Sequence, residues 1–263
     1  VKMRALRAYL REQERAEELR ARRLREGKSV ADLQVGSETL RRMASVSRYN
    51  DFIWQRLRPY AGQRILEVGC GIGNFTYYFV DREKVVAVDP VPEAIESLQT
   101  RYLHTDHVLP AVGDILNPEL VASLKPLRFD TVICVNVLEH IPDDELALRH
   151  MYEVLEPGGR LLLLVPAGRW LYGTLDYYLD HYRRYKYSEV VALMERAGFR
   201  IETSWRMNLP GILGWWLNAR ILRRPLLPSG QLRLFNFLMP IFRLEEKLNL
   251  PLGLSIVAIG KKD

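Results

Sequence analysis

Ile65-Leu66-Glu67-Val68-Gly69-Cys70-Gly71-Ile72-Gly73-Asn74-Phe75 is the stretch on which the fold turns. A buried β-run passes directly into a glycine-rich turn and on toward a helix, so a ligand can approach backbone where side chains would otherwise stand. Asp89 closes the next β-rich run, about twenty positions after Gly69, where a carboxylate can accept hydrogen bonds from both hydroxyls of a ribose. A dinucleotide-binding turn would call for Gly-x-Gly-x-x-Gly with a helix N-terminus aimed at a pyrophosphate. Here the spacing is Gly-x-Gly-x-Gly, and Glu67 sets a negative charge ahead of it. That acid suits a cationic or zwitterionic ligand better than a pyrophosphate.

Working outward, short β-branched runs alternate with helical stretches. The runs are Arg64–Val68, Val85–Val88, His107–Val112, Asp130–Val135, Arg160–Val165, Ile201–Trp205 and Leu254–Ile259. Between them, helices are expected near Phe75–Val80, Pro92–Tyr102, Pro118–Leu124, Asp144–Leu155 and Ser188–Ala197. Continuous apolar strands alternating with helices imply an α/β fold, a mostly parallel sheet covered on both faces. Ahead of the first strand a helix is expected from about Glu38 to Leu57, capped by Ser37 and stopped before Pro59. About forty residues, Asn208–Pro251, separate the last two strands, too many for a simple connection. They read as a helical insertion that can cover something, with Trp215, Trp216, Phe235, Phe237 and Phe242 interleaved with Arg220, Arg223, Arg224, Arg233 and Arg243. Four parts result: a basic N-terminal helix over 1–28, a core over 29–207, the lid-like insertion over 208–251, and the final strand of the core over 252–263.

The 263 residues carry a formal charge of +6, with 48% hydrophobic and 27% charged residues, an ordinary globular composition. The charge is unevenly spread. Residues 1–28 hold ten basic and five acidic side chains, residues 29–199 hold 18 and 23, and residues 200–263 hold ten and four. An acidic middle with basic ends argues against a basic cleft through the core, so nucleic acid is not the expected partner. The N-terminal helix, with Glu18 and Arg22 paired and Leu6, Tyr9, Leu10 and Leu24 on a thin apolar face, reads as a solvated helix docked on the body or as one lying on an anionic membrane or a partner. The start lacks the apolar core and cleavage site of a signal peptide, and no stretch of the insertion reaches the roughly 20 apolar residues of a membrane span. Cys70 and Cys134, the two cysteines, build neither a disulfide framework nor a four-ligand zinc site. A cytoplasmic protein, with peripheral contact to the inner membrane face as an option, is the expectation.

The Glu67–Gly73 turn resembles motif I of the class I S-adenosylmethionine (SAM) methyltransferases, and the likeness continues in order down the chain. Val88-Asp89, followed by Pro90, looks like that family's ribose-binding acid, and Gly113-Asp114-Ile115 like its adenine-binding turn. Phe129 to His140, with Asn136-Val137-Leu138 beyond the strand, is similar to its fourth motif, and Leu155-Glu156-Pro157-Gly158-Gly159-Arg160 to the turn into the fifth strand. The resemblance implies a Rossmann-like seven-stranded sheet with the last strand antiparallel, and a cofactor site of Glu67, Gly69, Cys70, Gly71, Gly73, Asn74, Asp89, Pro90, Gly113, Asp114, Ile115, Asn136, Val137 and Leu138. By analogy with the equivalent region of similar enzymes, Tyr49 is expected over the methionine end of SAM. Relatives that methylate base amines carry Asn/Asp/Ser-Pro-Pro-Tyr/Phe after the fourth strand, where this chain has Asn136-Val137-Leu138-Glu139. A looser similarity, in Asn136–Ile141, Val165-Pro166-Ala167, Tyr172–Asp176 and His181–Tyr185, is to bacterial methyltransferases associated with glycan and lipid-linked sugar pathways.

Methyl transfer from SAM needs a positioned nucleophile and, for a hydroxyl, a group that removes its proton. His140 and His181 are the expected catalytic residues, since an ordinary imidazole titrates near neutrality. Arg183, Arg184, Tyr185 and Trp215 are the expected substrate contacts, the arginines through paired bonds to a carboxylate or phosphate; salt bridges to Asp176 or Asp180 that hold the loop are their plainer role. No His-Glu-x-x-His or paired Cys-x-x-Cys spacing is present, so no metal is expected. The expected reaction is methyl transfer to a small, glycan or lipid-linked acceptor, at oxygen, leaving S-adenosylhomocysteine. A silent SAM-binding scaffold and, on the glycine turn alone, a nicotinamide-dependent oxidoreductase are the rival readings.

Overall fold

The structure is a computed structural model that describes residues 46–242 and 251–263 together with Glu38 and Arg42. The basic helix expected over 1–28, most of the chain between it and Val46, and Arg243 lie outside the described residues. Seven strands form one sheet: β1 Arg64–Val68, β2 Lys84–Asp89, β3 Val108–Val112, β4 Phe129–Val135, β5 Leu155–Pro166, β6 Arg200–Met207 and β7 Ser255–Lys261. Their spatial order is β3-β2-β1-β4-β5-β7-β6. β7 is antiparallel to both β5 and β6, and the remaining pairings are parallel. All seven expected runs are strands, and the last one does run against the rest.

The helices are α1 Ser47–Leu57, α2 Pro92–Arg101, α3 Pro118–Leu124, α4 Asp144–Val154, α5 Thr174–Tyr178, α6 Tyr187–Arg196, α7 Leu209–Trp216 and α8 Ser229–Phe242. Local chemistry marks several of their starts. Asn117 and Asp143 accept the backbone N–H of Glu119 and Leu146, and Pro92 and Pro118 occupy first helical positions, where the missing N–H is no loss. The expected helix at Phe75–Val80 is instead a 3-10 turn, Thr76–Phe79. Trp54 of α1 receives Phe79 and Tyr78 at centroid distances of 5.0 and 5.9 Å, and this aromatic packing replaces a run with little helix propensity of its own. Residues 174–178 form a short helix that the hydrophobic pattern does not announce.

Strand periodicity splits the core in two. Leu66, Val68, Val86, Val88, Val132, Cys134, Leu161 and Leu163 face a cluster closed by α3, α4 and α6. Ile65, Val85, Ala87, Ile133, Leu162 and Leu164 face the other, closed by α1, α2 and α8. The insertion belongs partly to this second core: Leu232 and Met239 of α8 are buried in it, Phe235 meets Tyr49 edge-on at 5.5 Å, and Arg42 donates to the Leu227 carbonyl. At its other end Thr174 Oγ donates to the carbonyls of Ala219 and Arg224. No helix among the described residues is long and apolar enough to cross a membrane.

Candidate functional site

β1 is the point at which the strand order reverses, with β2 on one side and β4 on the other. In an open parallel sheet the loops leaving the C-terminal ends of such a pair diverge to opposite faces and open a crevice. The turn after β1, the end of β2, the turn after β3 and the turn after β4 therefore share one edge. The sequence motifs, scattered over seventy or so positions, meet there.

The glycine turn is held by its own backbone. Gly69 and Cys70 donate to the Val88 carbonyl at 2.8 and 3.1 Å, and Gly73 to that of Cys70 at 2.9 Å. Gly69, Gly71 and Gly73 have φ of +72°, +51° and +83°, a region that L side chains rarely adopt. Two of these glycines do different jobs. A Cβ at Gly69 would stand 2.3 Å from Val137, so its absence lets the β1 and β4 tips touch. A Cβ at Gly71 would meet nothing within 4 Å, so the space beside that turn is open to a ligand.

Two carboxylates face this turn. Asp89 accepts Gly71 N–H on Oδ2 at 2.8 Å and Val91 N–H on Oδ1 at 2.9 Å, which fixes its orientation. Glu67 is buried, accepts Thr76 Oγ–H at 2.5 Å, and has its pKa pushed up to about 8 by burial, opposed by the Thr76 bond and reinforced by the charge of Asp89. A buried acid so poorly solvated is an attractive partner for a cation. Cys70 is buried and its thiol is pushed up by burial and by Glu67 and Asp89, so it is a packing residue with no nucleophilic thiolate.

The flanking turns follow suit. Gly113 N–H donates to the Asp89 carbonyl at 3.0 Å, and Asp114 Oδ1 accepts Leu116 N–H at 2.9 Å. Ile115 is packed into the core, and its carbonyl is held by His150 Nδ1 at 2.7 Å; it supports the turn from below. Asn136 is exposed at the β4 tip with φ +53°, and its N–H meets the Leu164 carbonyl at 2.9 Å. Val137 and Leu138 pack beneath, Leu138 fully buried. Pro90 is exposed and Asn74 half-buried at the rim. Tyr49 is buried between α1 and the insertion, where its hydroxyl accepts Asn208 Nδ2–H at 3.2 Å. It ties the insertion to the body.

On the far side of the β4 tip a second constellation gathers. His181 Nδ1 bonds Asp176 Oδ1 at 2.9 Å, its Nε2 stands 3.9 Å from Glu139 Oε1, and its ring meets that of His140 edge-on at 4.7 Å. Burial lowers the His181 pKa, against the pull of Asp176. Asp176 is the hub, accepting also Arg184 Nε–H at 2.7 Å, Gly173 N–H at 3.0 Å and Trp215 Nε1–H at 3.2 Å. Its partners come from positions 173 to 215, and its pairing with Arg184 is the loop-holding salt bridge that the sequence offers as the plainer role of that arginine.

This hub corrects the expected substrate set. Arg184 is buried, paired with Asp176, bonded to the Ala167 carbonyl at 2.9 Å and stacked 4.5 Å over the Trp215 ring. Arg183 is paired with Asp144 at 2.7 Å and donates to the Pro142 carbonyl, and the buried Tyr185 hydroxyl lies between Asp144 and the Leu138 carbonyl. All four side chains thus hold the loops around His181, with both arginines already paired to carboxylates. A shallow cleft of about 750 Å³ bordered by Arg169, Tyr182 and Arg183 lies on this side, but no residue of the glycine turn lines it; the candidate cofactor crevice is defined by the backbone geometry of that turn.

Similarity to known proteins points the same way. The profile of a family described as "Methyltransferase domain" matches residues 11–204. A ubiquinone biosynthesis O-methyltransferase of Xanthomonas euvesicatoria pv. vesicatoria is 29% identical over 160 residues, covering 54% of this chain and 64% of that protein. The mitochondrial protein of that name from Schizosaccharomyces pombe is 29% identical over 188 residues, covering 67% of this chain and 68% of that one. The chain spans about two thirds of the length of these curated relatives. Among solved structures, a SAM-dependent methyltransferase from Archaeoglobus fulgidus shares the fold with a TM-score of 0.54 at 20% identity, covering 81% of this chain and 94% of that one. The N-methyltransferase NodS of Bradyrhizobium japonicum, solved with S-adenosylhomocysteine, shares it with a TM-score of 0.50 at 16% identity, covering 82% and 85%.

Proposed function

We infer the function from one premise: this chain belongs to the methyltransferase-domain family, has the class I methyltransferase fold, and takes S-adenosylmethionine as its cofactor. Family membership removes the nicotinamide reading. The proposed reaction is methyl transfer to an oxygen of a small or lipid-linked acceptor. The observation that carries it is the acidic, open crevice at the β1 and β4 tips. Open space lies beside Gly71, whose N–H is held by Asp89, with the buried Glu67 ahead of the turn, and the two acids suit a nucleoside that also bears positive charge.

When bound, SAM supplies a methyl group activated by its sulfonium, and an acceptor oxygen forms the new bond as carbon and sulfur part. The chain's residues do the rest. Asp89, its carboxylate already oriented by Gly71 and Val91, would hold the ribose. Glu67 complements the positive end, and Gly113 to Leu116 frame the base. His140, just past Leu138, and His181, whose ring packs edge-on against it, are the groups proposed to activate the acceptor hydroxyl.

Oxygen as the acceptor atom is supported by the curated relatives' names. A lipid-linked acceptor, with peripheral contact to an anionic membrane, is supported by the outer face of the insertion. Trp215 and Phe235 pack inward, while Leu213 and Phe237 are both 69% exposed and Trp216, Ile221, Leu222 and Leu234 are exposed beside Arg220, Arg223 and Arg233. Aromatic and aliphatic side chains rimmed by arginine suit a headgroup layer. Transfer of label from methyl-labelled SAM into fractionated cell extract tests the assignment. Label in the lipid pool supports it, label confined to protein or polysaccharide overturns the acceptor class, and SAM binding without transfer to any pool marks a silent scaffold.

A further inference from the structure

Glu139 has no role in the cofactor crevice, yet it is fully buried, and neither carboxyl oxygen has a hydrogen-bond partner among the described residues. A buried carboxylate left this way is severely penalised unless it takes up a proton or something with positive charge completes it. The neighbouring cation is already engaged: Arg184 gives Nε to Asp176 and Nη1 to the Ala167 carbonyl. What faces Glu139 is a pair of imidazoles. Ligand atoms of Glu139, His140 and His181 all lie within 4.8 Å of one another, and Glu139 Oε1 is 3.9 Å from His181 Nε2. That is too far for a hydrogen bond. Ligands of one tetrahedral cation with bonds of roughly 2.1 Å stand about 3.4 Å apart, so side-chain closure of about an ångström seats an ion.

The surroundings are built for it. Asp176 accepts at His181 Nδ1, which leaves Nε2 with its lone pair toward Glu139, the carboxylate–histidine arrangement that orients metal ligands. Arg184, Trp215 and the Gly173 N–H fix Asp176 in turn. Tyr182 N–H bonds the Glu139 carbonyl at 2.8 Å, and Tyr172 O–H bonds the His181 carbonyl at 2.7 Å, so the two ligand-bearing loops are stapled together.

We propose that Glu139, His140 and His181 hold a divalent first-row transition cation, of the zinc, cobalt or manganese type, beside the cofactor crevice. One carboxylate and two imidazoles favour such ions over magnesium and leave coordination positions open. The proposal deepens the O-methyltransferase reading and rests on it for the ion's role. An acceptor hydroxyl entering an open position is polarised by the cation, its O–H bond breaks with the proton passing to water, and the oxygen stays behind as the nucleophile. The histidines then act as ligands, where the sequence pointed to free bases.

The experiment is titration of the full chain, stripped with chelator, with Co²⁺ alone, followed by visible absorption. One equivalent should bind with d–d bands, and Glu139→Gln, which keeps the shape and removes the charge, should abolish them, as should His181→Asn. Circular dichroism and thermal unfolding establish that the variants are folded. If Glu139→Gln does not fold, His140→Asn carries the same expectation. Asp89→Asn should leave the bands unchanged while weakening SAM binding in calorimetry. An absence of bands, or bands that persist in the folded ligand variants, overturns the metal site. Failure to bind SAM with Co²⁺ binding intact overturns the methyltransferase reading alone.

Discussion

Replacing Glu67 by Gln should erase a pH dependence of SAM binding that the wild-type chain possesses. Glu67 is held near a pKa of 8 by burial, so only roughly a tenth of the molecules carry the carboxylate at pH 7 and about a hundredth at pH 6. If the cationic ligand selects the carboxylate, affinity should rise about tenfold per pH unit below 8 and flatten above it, on the order of 100-fold or about 3 kcal/mol between pH 6 and 9. The Gln variant cannot ionise there, and titration of SAM's own amino group cancels when the two profiles are divided. Calorimetry from pH 6 to 9 measures the ratio. Repeating it at pH 7 in buffers of different ionisation enthalpy should show release of about 0.9 proton per SAM by the wild type beyond that of Gln. Parallel profiles, with a ratio independent of pH, would refute the assignment of Glu67 as the cation's partner. The same shift sets the sign for stability. A carboxyl whose folded pKa of about 8 lies above its ordinary 4.5 binds its proton more tightly when folded. The cost of ionising it is therefore absent below 4.5, grows through that window, and is complete above 8. Thermal unfolding of the SAM-free chain should fall from pH 5 to 8, with Gln flattening part of the decline.

Asp89→Ala removes two ribose hydrogen bonds to a charged acceptor and should weaken SAM binding by roughly 10- to 100-fold in calorimetry; unchanged affinity would sink the ribose assignment. Asp176→Ala leaves the Arg184 cation buried and unpaired and should destabilise the fold by about 3–5 kcal/mol in denaturant titration, whereas a change under 1 kcal/mol would contradict its place as the hub. Gly69→Ala puts a Cβ 2.3 Å from Val137 at φ +72° and should lower stability by at least ~2 kcal/mol while displacing the turn, so retention of full SAM affinity would be the contrary result. Leu213→Ser with Phe237→Ser should reduce co-sedimentation with anionic vesicles several-fold at unchanged SAM affinity; equal sedimentation would remove the insertion from membrane contact.

Sheet and cofactor crevice were legible in the chain because their signals are local. A buried parallel strand must be an apolar run, as Val85–Val88 and Leu161–Val165 are, and a turn that admits a ligand must carry glycines, as Gly69, Gly71 and Gly73 do. Asp89 and Asp114 were readable because each sits at a fixed place past a strand end. Reading 75–80 as a helix failed because Trp54, twenty residues upstream, gives Phe79 and Tyr78 a better contact than helix formation offers.

The acceptor side was decided by tertiary structure alone. Arg183, Arg184, Tyr185 and Trp215 carry the residue types of an anion site, with a salt bridge to Asp176 or Asp180 as the alternative, and only the fold pairs Arg184 with Asp176 and Arg183 with Asp144. Glu139 reads as one more acid after a strand, yet folding buries it without a donor and brings His181 to it and its neighbour His140 from about forty residues away. By itself the sequence determined a SAM-type crevice, since strand register and turn chemistry are short-range. What stands opposite that crevice, and with which charge, was settled only when loops distant in the chain packed together, because desolvation and pairing depend on neighbours in space.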